Sequence, residues 1–149
     1  LSELRQKAVA LLARREHTRA ELSRKLAPHG THEEIDAVMN QLQSSGLQSD
    51  ARFAEAFLRS KGGRLGPARL RQTLRQKGVD SETVSAQIVA ADLPDELHQA
   101  REIWARKFGT IPADAKEWAK QARFLQTRGF SSGVIRRLLK DGGDEESDA

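Results

Sequence analysis

The sequence predicts an all-α protein, an elongated array of three tandem three-helix repeats. Three observations predict it. Apolar residues recur at helical spacing, and Val, Ile and Thr are scattered instead of alternating as a strand requires. Polar caps and glycines mark the starts and ends of short segments. One layout also returns three times: an apolar residue four before a glycine and another five or six after it, as in Leu26-Gly30-Ile35, Leu74-Gly78-Val84 and Leu125-Gly129-Ile135. The glycines lie 48 and 51 residues apart, and a period near fifty made only of helices reads as a helical repeat.

The elements follow in order. Thr18 with Glu21 fits a capping box ahead of Leu22 and Leu26, with Gly30 placed to end that helix. Thr31 with Glu34 repeats the box before the apolar stripe Ile35, Val38, Met39 and Leu42, which stops near Gly46. Ser49 can cap a helix carrying Phe53, Ala54, Phe57 and Leu58. Pro67 starts the next, since proline at the first helical position loses no hydrogen bond, and Gly78 ends it. Asp80 opens a helix through Val84 and Ile88, Pro94 one through Ile103, Trp104 and Phe108, and Pro112 one that reaches Leu125. Ser131 caps the last, with Val134, Ile135, Leu138 and Leu139. Nine helices are expected in repeats spanning 1–48, 49–92 and 93–140, followed by a disordered acidic tail at 141–149.

The composition, 38% hydrophobic and 31% charged, permits a core. Cysteine is absent, which excludes disulfides and thiolate metal sites and suits a reducing compartment. No apolar run approaches the ~20 residues of a membrane span, and Leu1 begins no secretory signal. A soluble, cytoplasmic protein with no membrane partner is expected. The net charge of +4 hides an uneven layout: residues 1–50 are neutral, residues 51–140 carry a net +9, and the last nine, DGGDEESDA, carry −5. A basic body of this kind suits a polyanionic or acidic partner.

The glycine-rich stretch KGGRLGPARLRQTLRQKGV at 61–79 raises a choice between a nucleotide-phosphate cradle and a face for some larger anion. A phosphate-binding loop needs G-x-x-x-x-G-K-[ST] after a strand. Here Gly66 leads into Pro67 and Ala68, with a helix upstream and no Lys-Ser/Thr pair. The glycines therefore punctuate helices. The arginines say more. At ~100° per residue, Leu70 and Leu74 point inward while Arg71 and Arg75 share an exposed side. Arg64, Arg69, Arg71, Arg75 and Lys77 meet few acids nearby in sequence, so they form the first candidate binding set, suited to phosphate or carboxylate. Lys120, Arg123 and Arg128, with Lys116 close by, run along the corresponding helix of the third repeat, and Arg136, Arg137 and Lys140 follow.

Catalytic chemistry is missing. HGTHEE at 29–34 has H-x-x-H-E spacing, not the H-E-x-x-H that puts two imidazoles on one helical face, and a polar turn accounts for it. No nucleophile elbow or carboxylate dyad is present, so neither an enzyme nor a cofactor is expected. Tyrosine is absent, and Trp104 and Phe108 lie one turn apart as core residues do. Any nucleic-acid contact should be electrostatic, with weak sequence preference.

Four segments, in order and at fitting spacing, resemble the RecX family of bacterial regulators of the recombinase RecA. They are ARREHTRAELSRKL at 13–26, the G-L-x-x-D-A-R-F-A stretch at 46–54, GPARLRQTLRQKGV at 66–79 and FLQTRGF at 124–130. The resemblance spans roughly Leu4 to Leu139. One departure is Ser49 before Asp50, where the family often has an acidic pair. The resemblance implies an array of three-helix repeats that binds RecA filaments on single- or double-stranded DNA, limiting ATP hydrolysis, strand exchange and filament growth. A monomer is expected. The Arg and Lys faces would meet RecA or DNA, Arg52 and Phe53 would fix a repeat junction, and the acidic tail would compete for the basic face. The alternative is a basic helical nucleic-acid-binding protein with no RecA role.

Overall fold

Residues 2–141 are described by the computed structural model, and nine α-helices fill most of them. They are α1 (Ser2–Arg14), α2 (Arg19–Leu26), α3 (His32–Ser44), α4 (Asp50–Lys61), α5 (Pro67–Gln76), α6 (Ser81–Ala91), α7 (Glu96–Lys107), α8 (Ala115–Thr127) and α9 (Ser132–Asp141). Among the described residues there is no strand. Asp141 closes α9, and the rest of the expected acidic tail lies outside the described residues.

Local chemistry sets most helix starts. Thr18 Oγ1 accepts the Glu21 N–H at 3.0 Å, and the Glu21 carboxylate returns the bond to the Thr18 N–H. Thr31 and Glu34 repeat that reciprocal box. Ser49, Asp80 and Ser131 cap α4, α6 and α9 through the N–H groups of Arg52, Thr83 and Val134. Each such cap stabilises its helix by about 1 kcal/mol. Two expected starts move. Asp95, not Pro94, caps α7, and Asp114, not Pro112, caps α8, because an aspartate carboxylate can accept an amide where proline supplies only a fixed φ.

By backbone packing the described residues divide into two compact units, one of residues 2–59 with 73–91 and one of residues 60–72 with 92–141, so that α5 is shared. In the first, Leu4 and Ala8 of α1, Leu22 and Leu26 of α2 and Ile35, Val38, Met39 and Leu42 of α3 form one core. In the second, Leu97, Ala100, Ile103 and Trp104 of α7 pack with Leu125 and Phe130 and with Ile135, Leu138 and Leu139 of α9. All six apolar landmarks of the repeated layout are buried, each contributing about 1.5–3 kcal/mol relative to exposure.

The glycines between those landmarks differ in a telling way. Gly78 and Gly129 turn with φ of 99° and 96°, in the left-handed region that favours glycine. Each also lies hard against the start of a helix one repeat earlier. A Cβ at Gly78 would stand 2.5 Å from Ala20 Cβ, and one at Gly129 would overlap Arg69. Hydrogen bonds fix both approaches. Thr18 Oγ1 donates to the Lys77 carbonyl at 2.7 Å, while the Gly66 and Ala68 amides donate to the carbonyls of Arg128 and Gly129 at 2.6 and 3.3 Å. Gly30 differs: a Cβ there would meet only the flexible ends of the Leu4 and Glu34 side chains. There α2 ends at Leu26, a 3₁₀ turn fills Ala27–His29, and Gly30 is extended.

A polar knot surrounds the first junction. His17 is buried, and its Nδ1 donates to the Arg15 carbonyl at 3.0 Å, leaving Nε2 to accept Lys25 Nζ at 3.2 Å. The Gln48 amide donates to the His17 carbonyl and to Asp50, whose carboxylate also accepts the Arg19 N–H. Burial, helped by the charges of Arg15 and Lys25, lowers the His17 pKa below 6.5, against the raising effects of the Arg15 carbonyl and Glu21.

Two outcomes are expected. Gly66→Ala would drive a methyl into the Gly129 carbonyl and cost about 1–3 kcal/mol in urea unfolding, whereas Gly63→Ala, with nothing within 4 Å, should change stability by less than about 0.5 kcal/mol. As pH falls below 6.5, unfolded His17 takes up a proton before the folded residue does, so the stability present above that pH is lost across the window beneath it. The urea midpoint of the wild type should therefore fall from pH 7.5 to pH 5 by more than that of His17→Gln; equal falls would remove His17 as the cause.

Candidate basic binding surface

Helix α5 begins with proline, so its first amide donors available to a ligand belong to Ala68 and Arg69. The Ala68 N–H is taken by Gly129, the Arg69 N–H by Gly66, and the preceding Gly66 N–H by Arg128. The glycine-rich stretch thus aims its amides at its own protein. That removes the backbone donors a phosphate cradle would use, in addition to the missing Lys-Ser/Thr pair.

The side chains are differently placed. Arg64, Arg69, Arg71 and Arg75 are exposed, and none makes an ion pair among the described residues. Arg71 and Arg75 stand one turn apart on α5, while Leu70 and Leu74 on the same helix are fully buried. Lys77 departs from this pattern. It is half-buried, its ammonium lies 3.9 Å from Glu21, and its carbonyl holds Thr18. Burial alone would raise the Glu21 carboxyl, but the Thr18 amide with Arg15 and Lys77 outweighs it and holds the group below the usual carboxylate range. Lys77 belongs to the junction as much as to any open face.

In the second unit the remaining candidates separate into two places. Lys120 and Arg123 are exposed along α8 and line a cavity of about 880 Å³ that also holds Asp114 and Glu117, so its charge is mixed. Arg128 instead meets Arg64 in a groove of about 300 Å³ whose other cations are Arg106 and Lys107, with Ile103 and Phe124 beneath. No acidic side chain lines it. The Phe124 ring orients two of these cations: the Arg128 guanidinium lies 4.7 Å and Lys107 Nζ 5.5 Å from its centroid, with Phe108 at its edge. Such contacts contribute about 0.5–1 kcal/mol each at exposed sites.

Arg106 and Lys107 escape the sequence reading because two cations in the last turn of a helix are explained by the helix dipole alone. Only the fold sets them beside Arg64, some forty residues earlier. Trp118 is also missed; it is 39% exposed on α8. Trp104, by contrast, is core, and its indole N–H donates to the buried Gln121 at 2.7 Å. His29 and His32 are both exposed, and His32 lies 3.4 Å from Asp36. Among the described residues no group of three or more His, Asp or Glu side chains is placed to hold a metal ion, and no helix is long and apolar enough to cross a membrane.

Arg52 takes a structural part. Its guanidinium pairs with Glu16 and donates to the carbonyls of Gly46 and Leu47 at 3.0 Å each, tying α4 to the turn before it and to the segment before α2.

Fold and surface together define a class: a helical-repeat protein whose glycine turns rest on helices of the preceding repeat and which leaves Arg64, Arg69, Arg71 and Arg75 facing outward. Within that class the chain belongs to the RecX family. Profiles of the first, second and third RecX three-helix domains match residues 5–42, 49–86 and 94–139. The chain is 49% identical to the regulatory protein RecX of Chromobacterium violaceum over 144 residues, covering 96% of this chain and 93% of that one. It is 47% identical to the regulatory protein RecX of Leptothrix cholodnii over 92% of this chain and 87% of the relative. The crystal structure of RecX from Lactobacillus salivarius superposes with a TM-score of 0.77 at 21% identity, over 94% of both chains. A second RecX crystal structure gives 0.73 at 23% identity, over 94% of this chain and 73% of the other.

Replacing Arg52 by Ala removes three partners at once and should lower stability by about 1–2 kcal/mol, less than three buried bonds would because the group is partly exposed. Arg52→Lys should not restore it, since one ammonium cannot span the fork. Urea unfolding of the two variants checks both statements.

Proposed function

We propose that this protein binds RecA filaments on DNA and restrains them, slowing ATP hydrolysis, strand exchange and filament growth. Its membership of the RecX family supports a regulatory role, and the observation that carries the binding face is the set of exposed arginines, Arg64, Arg69, Arg71 and Arg75, left without ion pairs among the described residues. Guanidinium groups without ion pairs, three of them on α5 and Arg64 in the turn before it, suit the carboxylates of an acidic protein surface or the phosphates of a filament's DNA. Lys120 and Arg123 on α8, Arg128 in the turn after it and Lys77 after α5 are the further candidates for contact. The protein works as a cytoplasmic monomer and carries no catalysis of its own. Bound across neighbouring RecA subunits, it would oppose a conformational step or the addition of further subunits.

The test is RecA's ATPase rate on single-stranded DNA, at fixed salt and with too little of this protein to cover the DNA. Wild type should inhibit, and the Arg69, Arg71 and Arg75→Glu variant should need at least about tenfold more protein for the same effect. Lys77 is left intact so that the Glu21 junction stays formed. A wild type that binds DNA but never inhibits would replace this reading with that of a nucleic-acid-binding protein lacking a RecA role. Equal inhibition by both proteins would move the contact off α5.

A further inference from the structure

The groove around Phe124 gathers four cations, Arg64, Arg106, Lys107 and Arg128, with no acid in its lining and no ion pair to any of the four among the described residues. Converging like charges repel, so an arrangement of this kind is stabilised by an anion that enters it. The lining also says which anion. A peptide ligand needs apolar pockets for anchoring side chains or a backbone edge to pair with. Here Ile103 is buried, and the one ring, Phe124, has the Arg128 and Lys107 cations within cation–π reach and lies perpendicular to Phe108. The ring is thus engaged by the groove's own cations, and no second ring lines the groove to stack a base. What the groove offers is charge in fixed directions with nothing to read sequence. We propose that it seats the phosphodiester backbone of a nucleic-acid strand. This deepens the preceding reading, which already includes Arg64 and Arg128, by giving the strand a site apart from Arg69, Arg71 and Arg75 of α5.

Phosphate contacts release counterions, and on single strands log K falls with log salt by about 0.7 per phosphate neutralised. The experiment measures binding of the full chain to a fluorescent single-stranded oligonucleotide across a salt series, without RecA. Arg106 and Lys107 are reversed together to Glu, being exposed and free of described hydrogen bonds through their side chains. The variant should bind at least about fivefold more weakly at low salt, with a slope shallower by about 1.4. Arg106→Lys with Lys107→Arg should keep the wild-type slope. Reversing Arg5 and Lys7, exposed on α1, changes net charge equally and should leave most of the affinity. An unchanged slope in the Arg106/Lys107→Glu protein, with its helical circular dichroism intact, would overturn the assignment. So would an equal loss from the α1 reversal, which would mean diffuse charge, or competition at this groove by poly-glutamate but not by oligonucleotide. Because RecA is absent, these outcomes stand or fall separately from the ATPase test.

Discussion

At Gly78 and again at Gly129 the chain turns with positive φ and comes to rest on the first turn of a helix from the preceding repeat. Two demands coincide at one residue. The turn needs a left-handed backbone, and the approach leaves no room for a side chain, with Ala20 on one occasion and Arg69 on the other filling the space a Cβ would take. Glycine alone meets both without strain. The hydrogen bonds that accompany the approach satisfy amide and carbonyl groups that helix ends otherwise leave open. Thr18 reaches Lys77 by its side chain, and Gly66 and Ala68 reach Arg128 and Gly129 by the backbone. These two turns set which helix starts of the preceding repeat the chain meets, Ala20 of α2 and Arg69 of α5.

The junctions also divide the labour among cations. Around the first, positive groups are engaged: Arg15 and Lys77 with Glu21, Arg19 with Asp36 and Gln43, and Arg52 with Glu16. Lys77 sits in that network because its own carbonyl forms the junction. Around the second, Arg128 also gives its carbonyl to the junction, yet its side chain turns over Phe124 and into a groove with three other cations. The same position in two repeats thus stands in different surroundings, paired with an acid in one and set among cations in the other. The difference lies in what stands nearby: Glu21 beside Lys77, and no acid in the lining around Arg128.

RecX crystal structures share this fold at 21% and 23% identity. A fold that survives so much substitution is specified by pattern, by which positions are apolar and where the chain is capped and turned, more than by particular side chains. That is also why the fold was readable in advance. Two reciprocal capping boxes, the stripe Ile35, Val38, Met39 and Leu42, and the glycines after α5 and α8 act over a few residues each, so their meaning is local. Pro94 and Pro112 misled because proline and aspartate both mark helix starts, and only hydrogen-bond geometry separates the residue that caps from the one that merely precedes.

The sequence by itself determined the helices, the triple layout, the basic character of residues 51–140 and the outward side of α5, because periodicity and capping depend on neighbours within one or two turns. Only the tertiary structure decided what those charges face. It placed Arg106 and Lys107 beside Arg64 and Arg128, drew Lys77 toward Glu21, left Trp118 half-exposed and explained Gly66 and Gly129 as surfaces of contact. These are meetings between residues tens of positions apart. Coulomb energy and steric overlap act through space, and linear spacing carries no record of them until the turns have folded the helices onto one another.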